Sequence, residues 1–424
     1  MMTSTSFTRR HFARIATWAV AGLGLSRHAL AQNQRPALKG QVVKIAVIEP
    51  LSGLMGSVGT SLLKSYQYLA EQFSASNPAG VKFEIVGFDN KLSPTETLGA
   101  LKSAMDQDIR FIAQGTGSAP ALALINAIEK HNQRNPGKEV IYLNHAATDP
   151  ELTGSNCSYW HFRFEADTAM KMEALTSFIK DRPSVKKVYL INQNYSSGIQ
   201  IAEAAKAGLR AKRPDVEIVG DDRHPLAQIR DFSPYMTKVR ASGADTIITG
   251  SWGTDLSLLI KAAEESGWKG TFYTYYAVVA GTPTALRQVD DNRVFQVAYS
   301  HYNMGGQMNV WMKEFQKRFN EDFYTHGVAL VFELLSKSIQ QAQSAEVLRV
   351  AEQMEGAKFK GFNGMVEMRK SDHQLQQPLF VTVWTSVSAQ VPYSAEGTGK
   401  TFAPVREFTA DEVSRPSTCR MARP

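Results

Sequence analysis

Apolar runs of strand length alternate along this chain with longer segments in which apolar residues recur at helical spacing. The first run, VVKIAVIEPL from residue 42, predicts a strand, and TSLLKSYQYLAEQF after it predicts an amphipathic helix. The alternation continues through VKFEIVGFDN, RFIAQG and EVIYLNH, and it begins again after residue 165 with VKKVYLINQN, VEIVGDD, ADTIITGSW and TFYTYY. Strands rich in β-branched residues that alternate with helices predict parallel sheets covered on both faces. We therefore predict an α/β fold of two doubly wound, Rossmann-like lobes.

The second run of alternation is followed by segments in a different order. VFQVAYSHYN comes first, then a long helical stretch from about residue 309 to 345, then the strand-like LFVTVWTSV and a Pro/Gly/Thr-rich tail. Between the two runs, at about residues 156 to 164, lies an aromatic connector, NCSYWHFRF. One helix start is well marked, because Ser93 suits the N-cap, Pro94 the first helical position and Glu96 the positive end of the dipole.

The first 31 residues are predicted to be a signal peptide rather than part of the fold. TRRHF at residues 8–12 is a twin-arginine export signature, and the short apolar run IATWAVAGLGLS follows it. ALA at residues 29–31 then supplies an A-x-A cleavage site. The apolar run is too short to span a membrane, and no later stretch approaches about 20 uninterrupted apolar residues. We therefore expect twin-arginine export, cleavage after about Ala31 and a periplasmic location.

Length and charge change this picture little. A chain of 424 residues with 43% hydrophobic composition can bury more than one core, which agrees with two lobes. The formal net charge is +7, but the signal holds four arginines and no acids, so 43 basic and 40 acidic residues leave +3 for the remainder. Because a nearly neutral chain does not favour a polyanion, we expect no nucleic-acid partner.

Two cysteines, Cys157 and Cys419, both lie in the part that would be exported. In an oxidising compartment such a pair is more often a disulfide than a metal site, which needs more Cys and His ligands. We expect a disulfide that ties the C-terminal tail to the body of the protein. Two unrelated buried thiols are the alternative.

The stretch GTGS at residues 115–118 lies between a predicted strand and a predicted helix, where outward-pointing backbone amides favour an anion. It is a poor dinucleotide fingerprint, because Pro120 stands where a third small residue belongs and the next strand ends in LNH, without an acid for a ribose. The sequence contains no G-x-S-x-G, H-E-x-x-H or C-x-x-C motif. We expect no cofactor, no metal and no enzymatic activity, although a serine–histidine pair that meets only in space stays open.

In doubly wound sheets, ligands bind beyond the carboxyl ends of the strands, where loops lead into helices. Five loops hold that position, at 51–59, 115–118 and 144–148 in the first run and at 194–196 and 251–255 in the second. The first three offer small residues, hydroxyls and amides, whereas the last two offer an aromatic platform and a carboxylate. Because one side suits a carboxylate and the other an ammonium, the two lobes together suit an amino acid.

These segments resemble the type I periplasmic solute-binding proteins of the branched-chain amino acid (leucine/isoleucine/valine) family. The resemblance covers nearly all of the chain after the signal. It is carried by IAVIEPLSGLMGSVG, GTGSAPALA, NHAATDPEL, INQNYSSG and GSWGTDLSLLIKAAEESG. NHAATDPEL is the most specific of these, because the family commonly has a similar Ala-Ala-Thr-Asn/Asp-Pro-Glu-Leu run.

The resemblance implies a ligand site at the ends of these strands. The residues that would hold the ligand carboxylate are Gly115, Thr116, Ser118 and Thr148. The groups that would receive the ammonium are the backbone of Ala146, the ring of Tyr195 and the carboxylate of Asp255. The remaining candidates for ligand contact are Ser52, Trp252 and Tyr276.

Departures from the family widen the choice of ligand. The leading member of the family has serine where Gly115 stands, so the side-chain hydroxyl must come here from Thr116 or Ser118. Asp255 replaces the usual glutamate and is one methylene shorter, and Trp252 and the nearby Tyr276 crowd the same wall. The ligand can therefore be longer or more aromatic than leucine, and relatives also bind amides, urea and aromatic carboxylates.

The resemblance also implies three crossovers between the lobes, near residues 160, 300 and 366, with hinge closure on the ligand. The predicted domains are the signal peptide (1–31), lobe 1 (40–160 and 300–365), lobe 2 (161–299 and 366–392) and a C-terminal tail (393–424). The implied function is capture of a small amino acid or a related carboxylate or amide, with delivery to the membrane subunits of an ABC-type permease. We expect a monomer. A ligand-sensing module for a receptor or regulator is the alternative.

Overall fold

Five parallel strands form the first sheet, in the spatial order β2-β1-β3-β4-β5. The computed structural model describes residues 38–424, so the predicted signal peptide lies outside the described residues. The elements of this part are β1 (Val42–Glu49), α1 (Gly56–Ala75), β2 (Lys82–Asp89), α2 (Pro94–Asp106), β3 (Phe111–Gln114), α3 (Ser118–Arg134), β4 (Ile141–Asn144) and β5 (His161–Arg163). All four residues of β3 and all four of β4 are buried, as expected for strands that are covered on both faces.

The chain then repeats the same alternation in a second sheet. Its elements are α4 (Thr168–Ile179), β6 (Lys187–Gln193), α5 (Ser196–Lys212), β7 (Glu217–His224), α6 (Ser233–Ser242), β8 (Thr246–Thr249), α7 (Gly253–Glu265), β9 (Thr271–Thr274), α8 (Thr282–Ala285) and β10 (Val294–Ala298). Neighbouring strands among β6 to β10 are parallel. The two sheets form the two lobes of the α/β fold, which the hydrophobic pattern predicted.

The last third of the chain contributes helices that pack beside the first sheet and strands that join the second. Its elements are α9 (Gly306–Phe319), α10 (Gly327–Ala342), α11 (Val347–Met354), β11 (Lys358–Gly361), β12 (Gly364–Met368), β13 (Leu375–Gln376), β14 (Leu379–Ser386), β15 (Lys400–Phe408) and α12 (Ala410–Val413). Helix α10 packs against α1 beside the first sheet, through the stacked rings of Phe73 and Phe332. Strands β11 to β13 form a small third sheet, while β14 and β15 join the second sheet antiparallel, giving the order β15-β14-β10-β9-β8-β6-β7.

The helix start marked by Ser93 is present, but the long helical stretch is interrupted. The Ser93 hydroxyl accepts a hydrogen bond from the amide of Glu96, and Pro94 opens α2. The stretch at 309–345, in contrast, is two helices, α9 and α10. Asn320 ends α9 in the left-handed conformation at φ 54°, which asparagine tolerates better than most residues.

Strand β15 lies in the segment that the sequence analysis assigned to a C-terminal tail, and it was not predicted. Pro404 within it lacks an amide hydrogen, which argues against a central strand. The structure accommodates this proline at the edge of the second sheet. Thr382 of β14 pairs with Pro404 and its neighbour Val381 with Arg406, so Val405 bulges out of the pairing.

Within residues 38–424 the chain passes between the two sheets three times: after β5, after β10 and before β14. The tail adds a covalent link, because Cys157 and Cys419 form a disulfide bond, the one expected from the sequence. Cys419 follows β15 of the second sheet, whereas Cys157 precedes β5 of the first. The bond thus holds the end of the chain against the other sheet. The residue boundaries proposed above for the lobes stay a prediction.

Two features are absent from residues 38–424. No helix there combines the length and the hydrophobicity that crossing a bilayer requires. Over the same residues, no group of three or more His, Cys, Asp or Glu side chains is arranged to hold a metal ion.

Candidate ligand-binding cavity between the sheets

A cavity of about 110 Å³ opens between the carboxyl ends of the two sets of strands. Because a single water needs roughly 10–15 Å³ of such space, the cavity has room for a small solute but not for a dinucleotide. The sequence-predicted residues that line it are Gly115, Thr116, Ser118, Ala146, Thr148, Tyr195, Trp252 and Tyr276. Both sheets therefore contribute to one shared space, and the roles of these residues in ligand binding stay predictions.

The loops of the two sheets touch across this space. The hydroxyl of Thr148, after β4, lies 3.1 Å from the hydroxyl of Tyr276, after β9, and 3.3 Å from that of Ser197 in α5. The hydroxyl of Thr254 donates to the carbonyl of Leu54 at 3.0 Å. The loops of the two sheets are thus in direct contact at these points beside the cavity.

On the wall formed by the first sheet, a carboxylate of the protein itself accepts hydrogen bonds from two backbone amides. Glu49, fully buried at the end of β1, accepts a hydrogen bond of 2.7 Å from the amide of Gly115 and longer ones of 3.3 and 3.4 Å from the amide of Thr116. Its Oε1 also lies 3.2 Å from Nε2 of His145. The expectation of amides open to a ligand is therefore wrong for residues 115 and 116. Ser118 remains, at the first turn of α3, a helix start that no side chain caps.

Because Gly115 has no side chain, it leaves space that the ring of His145 occupies. A Cβ atom at this position would lie 2.7 Å from the amide nitrogen of Ala146 and 2.7 Å from two ring atoms of His145. Contacts that short require the neighbours to move. The histidine side chain thus explains why this chain has glycine where the leading member of the resembled family has serine.

The wall formed by the second sheet is aromatic. The indole nitrogen of Trp252 donates to the hydroxyl of Tyr195 at 3.2 Å. Burial raises the pKa of Tyr195 and of Tyr276 well above the usual tyrosine value, so both hydroxyls stay protonated. They can therefore donate hydrogen bonds to a solute while their rings limit its width.

Asp255 and Ser52 are not among the cavity-lining residues. Oδ2 of Asp255 accepts hydrogen bonds from Nε2 of Gln193 at 2.8 Å and from the amide of Ala227 at 2.9 Å. Two donors from the loops of the second sheet thus occupy this oxygen, and the contact of Asp255 with a ligand ammonium stays a prediction that the cavity lining does not support. The Ser52 hydroxyl is exposed and donates to Oδ2 of Asp89 at 2.6 Å.

Two charged residues that the sequence analysis missed do line the cavity, Glu165 and Lys171. They lie where the chain passes from β5 into α4, and only 5% of Glu165 and 0% of Lys171 is exposed. A signal for the lysine was present. Lys171 shares the i, i+3, i+4, i+7 face of its helix with Ala174, Leu175 and Phe178, and a charge on a buried apolar face is unusual.

Comparison with known proteins agrees with this architecture. The sequence profile of the family described as periplasmic binding protein matches residues 42–389. A protein of Brucella melitensis named Leu/Ile/Val-binding protein homolog 4 is 31% identical over 411 residues, which cover 95% of this chain and 98% of the relative.

Solved structures give the same fold. The closed form of a leucine-, isoleucine-, valine-, threonine- and alanine-binding protein from Brucella ovis has a TM-score of 0.79 and 30% identity over 91% of this chain and 100% of that one. A solute-binding protein of an ABC transporter from Rhodopseudomonas palustris, in complex with p-hydroxybenzoic acid, has a TM-score of 0.75 over 87% and 98% of the chains. At 16% identity, that protein shows the fold alone. These proteins bind solutes and are not enzymes, and this chain belongs to the periplasmic binding protein family.

Proposed function

We propose that this protein captures a small amino acid, or a related carboxylate or amide, in the cavity between its two sheets and delivers it to an ABC-type permease. The observation that carries the proposal is the cavity of about 110 Å³ whose walls come from the strand ends of both sheets. The Brucella ovis protein named for five amino acids, similar over nearly its whole length, supports an amino acid as the ligand. Twin-arginine export of the folded protein to the periplasm belongs to the same proposal.

The hydroxyl-bearing residues supply the neutral contacts of this site. Ser118 at the uncapped start of α3, Thr116 beside it and Thr148 on the next loop suit the ligand carboxylate. The carbonyl of Ala146 and the hydroxyl of Tyr195 suit the ammonium end. Hydrogen bonds to charged groups contribute about 1.5–3 kcal/mol each, so a few of them support micromolar or tighter binding.

Isothermal titration calorimetry tests the proposal. Leucine, isoleucine, valine, threonine and alanine are titrated into the purified protein, with 4-hydroxybenzoate as a sixth probe. We expect a dissociation constant of about 1 μM or lower for at least one amino acid. Binding of 4-hydroxybenzoate in the absence of any amino-acid binding would contradict an amino-acid ligand.

A matched pair of variants locates the binding. Ser118→Ala removes a hydroxyl that lines the cavity, while Ser52→Ala removes an exposed one outside it. The first should weaken binding of the amino acid about 5- to 10-fold and the second should leave it unchanged. Equal effects of the two would place the ligand elsewhere. Loss of uptake of that amino acid in cells lacking the protein would support delivery to a permease.

A further inference from the structure

Glu165 and Lys171 are the charged pair inside the cavity. Among the cavity-lining residues in the described part of the chain, Glu165 is the only carboxylate and Lys171 the only lysine or arginine. Both are almost fully buried. Removing charges from water is costly, so a pair in this position requires strong partners.

Glu165 and Lys171 do not complete each other's hydrogen bonding. Nζ of Lys171 lies 3.2 Å from Oε1 of Glu165, but the two are not aligned as a hydrogen bond, and Nζ has no hydrogen-bond acceptor among the described residues. Its other close neighbours are tyrosine rings, with Nζ 4.5 Å from the ring centroid of Tyr276 and 5.5 Å from that of Tyr275. The ammonium has three N–H donors, and apart from its ion pair with Glu165 it has no acceptor among the described residues.

Glu165 is similarly incomplete. Its Oε1 accepts one hydrogen bond, of 2.9 Å, from the adjacent amide of Ala166. Burial raises the pKa of Glu165 and lowers that of Lys171, because each charged form has lost its water. A ligand that brought one charge of each sign would stabilise both groups in their charged forms.

Two backbone amides of the first sheet are not open to a ligand carboxylate. The amides of Gly115 and Thr116 are engaged by Glu49, so that wall already holds a carboxylate. The Thr148 hydroxyl, in contrast, lies 3.1 Å from the hydroxyl of Tyr276, and the Lys171 ammonium lies 4.5 Å from the ring centroid of the same tyrosine. An anion bound by Thr148 would have Lys171 as its nearby counter-charge.

We propose that Glu165 and Lys171 are specificity-determining residues that recognise the two charges of a zwitterionic amino acid, Lys171 its carboxylate and Glu165 its ammonium. This inference rests on the proposed function and narrows it. Amino acids are bound, while monocarboxylates, amides and amines of the same skeleton are rejected, because each leaves one buried charge without a partner.

The test uses L-leucine and three probes with the same skeleton: L-leucinamide, 4-methylpentanoate and 3-methylbutylamine. If another of the five amino acids is the tighter ligand, the same three changes are made to that one. Calorimetry on the wild type should show each probe at least about 30-fold weaker than the amino acid. Lys171→Met should bind the amino acid and its amide about equally, and Glu165→Gln should bind the amino acid and its deaminated acid about equally.

Each variant should lose discrimination against one probe only, the amide for Lys171→Met and the deaminated acid for Glu165→Gln. A residue that only stabilises the fold would not produce this pattern. Glu203→Gln and Lys206→Met, which remove a partly exposed ion pair on α5 with atoms 3.0 Å apart and outside the cavity lining, are the control and should keep both discriminations. If the single variants do not fold, the double variant Glu165→Gln/Lys171→Met and the wild-type series decide. Wild type that binds 4-methylpentanoate or the amide as tightly as the amino acid would overturn the inference and leave the proposed function standing. Wild type that binds none of the five amino acids would overturn the proposed function itself.

Discussion

Asp255 and Glu165 are both buried carboxylates near the gap between the lobes, and they have opposite surroundings. Oδ2 of Asp255 accepts two hydrogen bonds, from the side chain of Gln193 and the amide of Ala227, both in the second lobe. Glu165 lines the cavity beside a lysine that is close but not aligned with it. Asp255 thus accepts two hydrogen bonds from its own lobe, whereas Glu165 accepts one and lines the cavity.

The difference shows that position in the sequence pattern does not decide which acid faces a ligand. Asp255 lies in the first turn of α7, immediately after a strand end, which is where ligand contacts are expected. Glu165 lies in a link between sheets, where the pattern predicts nothing. We therefore expect unsatisfied buried charge to indicate the binding wall better than location at a strand end does.

The largest effect that we expect is a difference in the free energy of unfolding between variants of the two carboxylates. Asp255→Ala removes the acceptor of two buried donors, and we expect the free energy of unfolding to fall by about 3 kcal/mol. The double variant Glu165→Gln/Lys171→Met replaces a poorly aligned buried pair with neutral groups of similar size, and it should change stability by about 1 kcal/mol or less, or increase it. Urea denaturation measures both. A larger loss for the double variant than for Asp255→Ala would break the comparison.

Asp322 shows what burial does to a carboxylate without a paired cation. Burial raises its pKa to about 6, although the hydroxyl of Tyr393 and the amide of Glu396 donate to it. Because the folded pKa exceeds the unfolded value of about 3.9, the folded state binds the proton more tightly, and stability falls as pH rises from about 4 to 6.

We expect Asp322→Asn to remove this pH dependence, which amounts to up to about 3 kcal/mol. Denaturation of wild type and variant at pH 4, 5, 6 and 7 gives the difference in stability at each pH. That difference should shift in favour of the variant as the pH rises. A difference that is the same at all four pH values would show that Asp322 titrates normally.

Gly115 tests how firmly the wall of the first sheet is fixed. Gly115→Ala places a Cβ atom 2.7 Å from Ala146 and from His145, and should destabilise the protein by about 2 kcal/mol. His145 would also be pushed away from Glu49, from which it is now 3.2 Å distant. Gly99→Ala, at a helical glycine with open space around it, is the control and should not destabilise. Thermal unfolding of both variants checks this.

The smallest effect concerns the contact between the lobes. Thr148→Val removes the hydroxyl that lies near those of Tyr276 and Ser197 across the cavity, while it keeps the shape of the side chain. We expect the dissociation constant for the amino-acid ligand to rise about 10-fold, the lower end of what one hydrogen bond to a charged group contributes. Unchanged affinity in calorimetry would exclude a contact between this hydroxyl and the ligand.

The hydrophobic pattern was sufficient to predict the two sheets and their helices, because buried parallel strands and amphipathic helices leave distinct periods in the sequence. It was insufficient where one residue decides the local structure. Asn320 ends α9 inside a stretch whose hydrophobic period predicts one continuous helix. Pro404 argues against a strand at β15, and the strand is possible there because it lies at the edge of the sheet. The pairing of Cys157 with Cys419 was expected from cell compartment and cysteine number rather than from the pattern.

The candidate site was predictable as a set of loops but not as a set of side-chain directions. Strand order brings Ser118 and Tyr195 to one cavity, and the pattern contains that information. The orientation of Asp255 depends on Gln193 and Ala227, 62 and 28 residues away in the chain, and nothing local encodes it. Glu165 was missed for the same reason, since its exposure to the cavity depends on how α4 packs.

The most direct test of the central claim compares the two carboxylates in one experiment. Calorimetry measures the affinity of Asp255→Asn and of Glu165→Gln for the amino acid that binds wild type most tightly. We predict that Asp255→Asn binds with the wild-type dissociation constant and that Glu165→Gln binds at least about 30-fold more weakly. The reverse result, with affinity lost in Asp255→Asn and kept in Glu165→Gln, would contradict the assignment of Glu165 to the ligand.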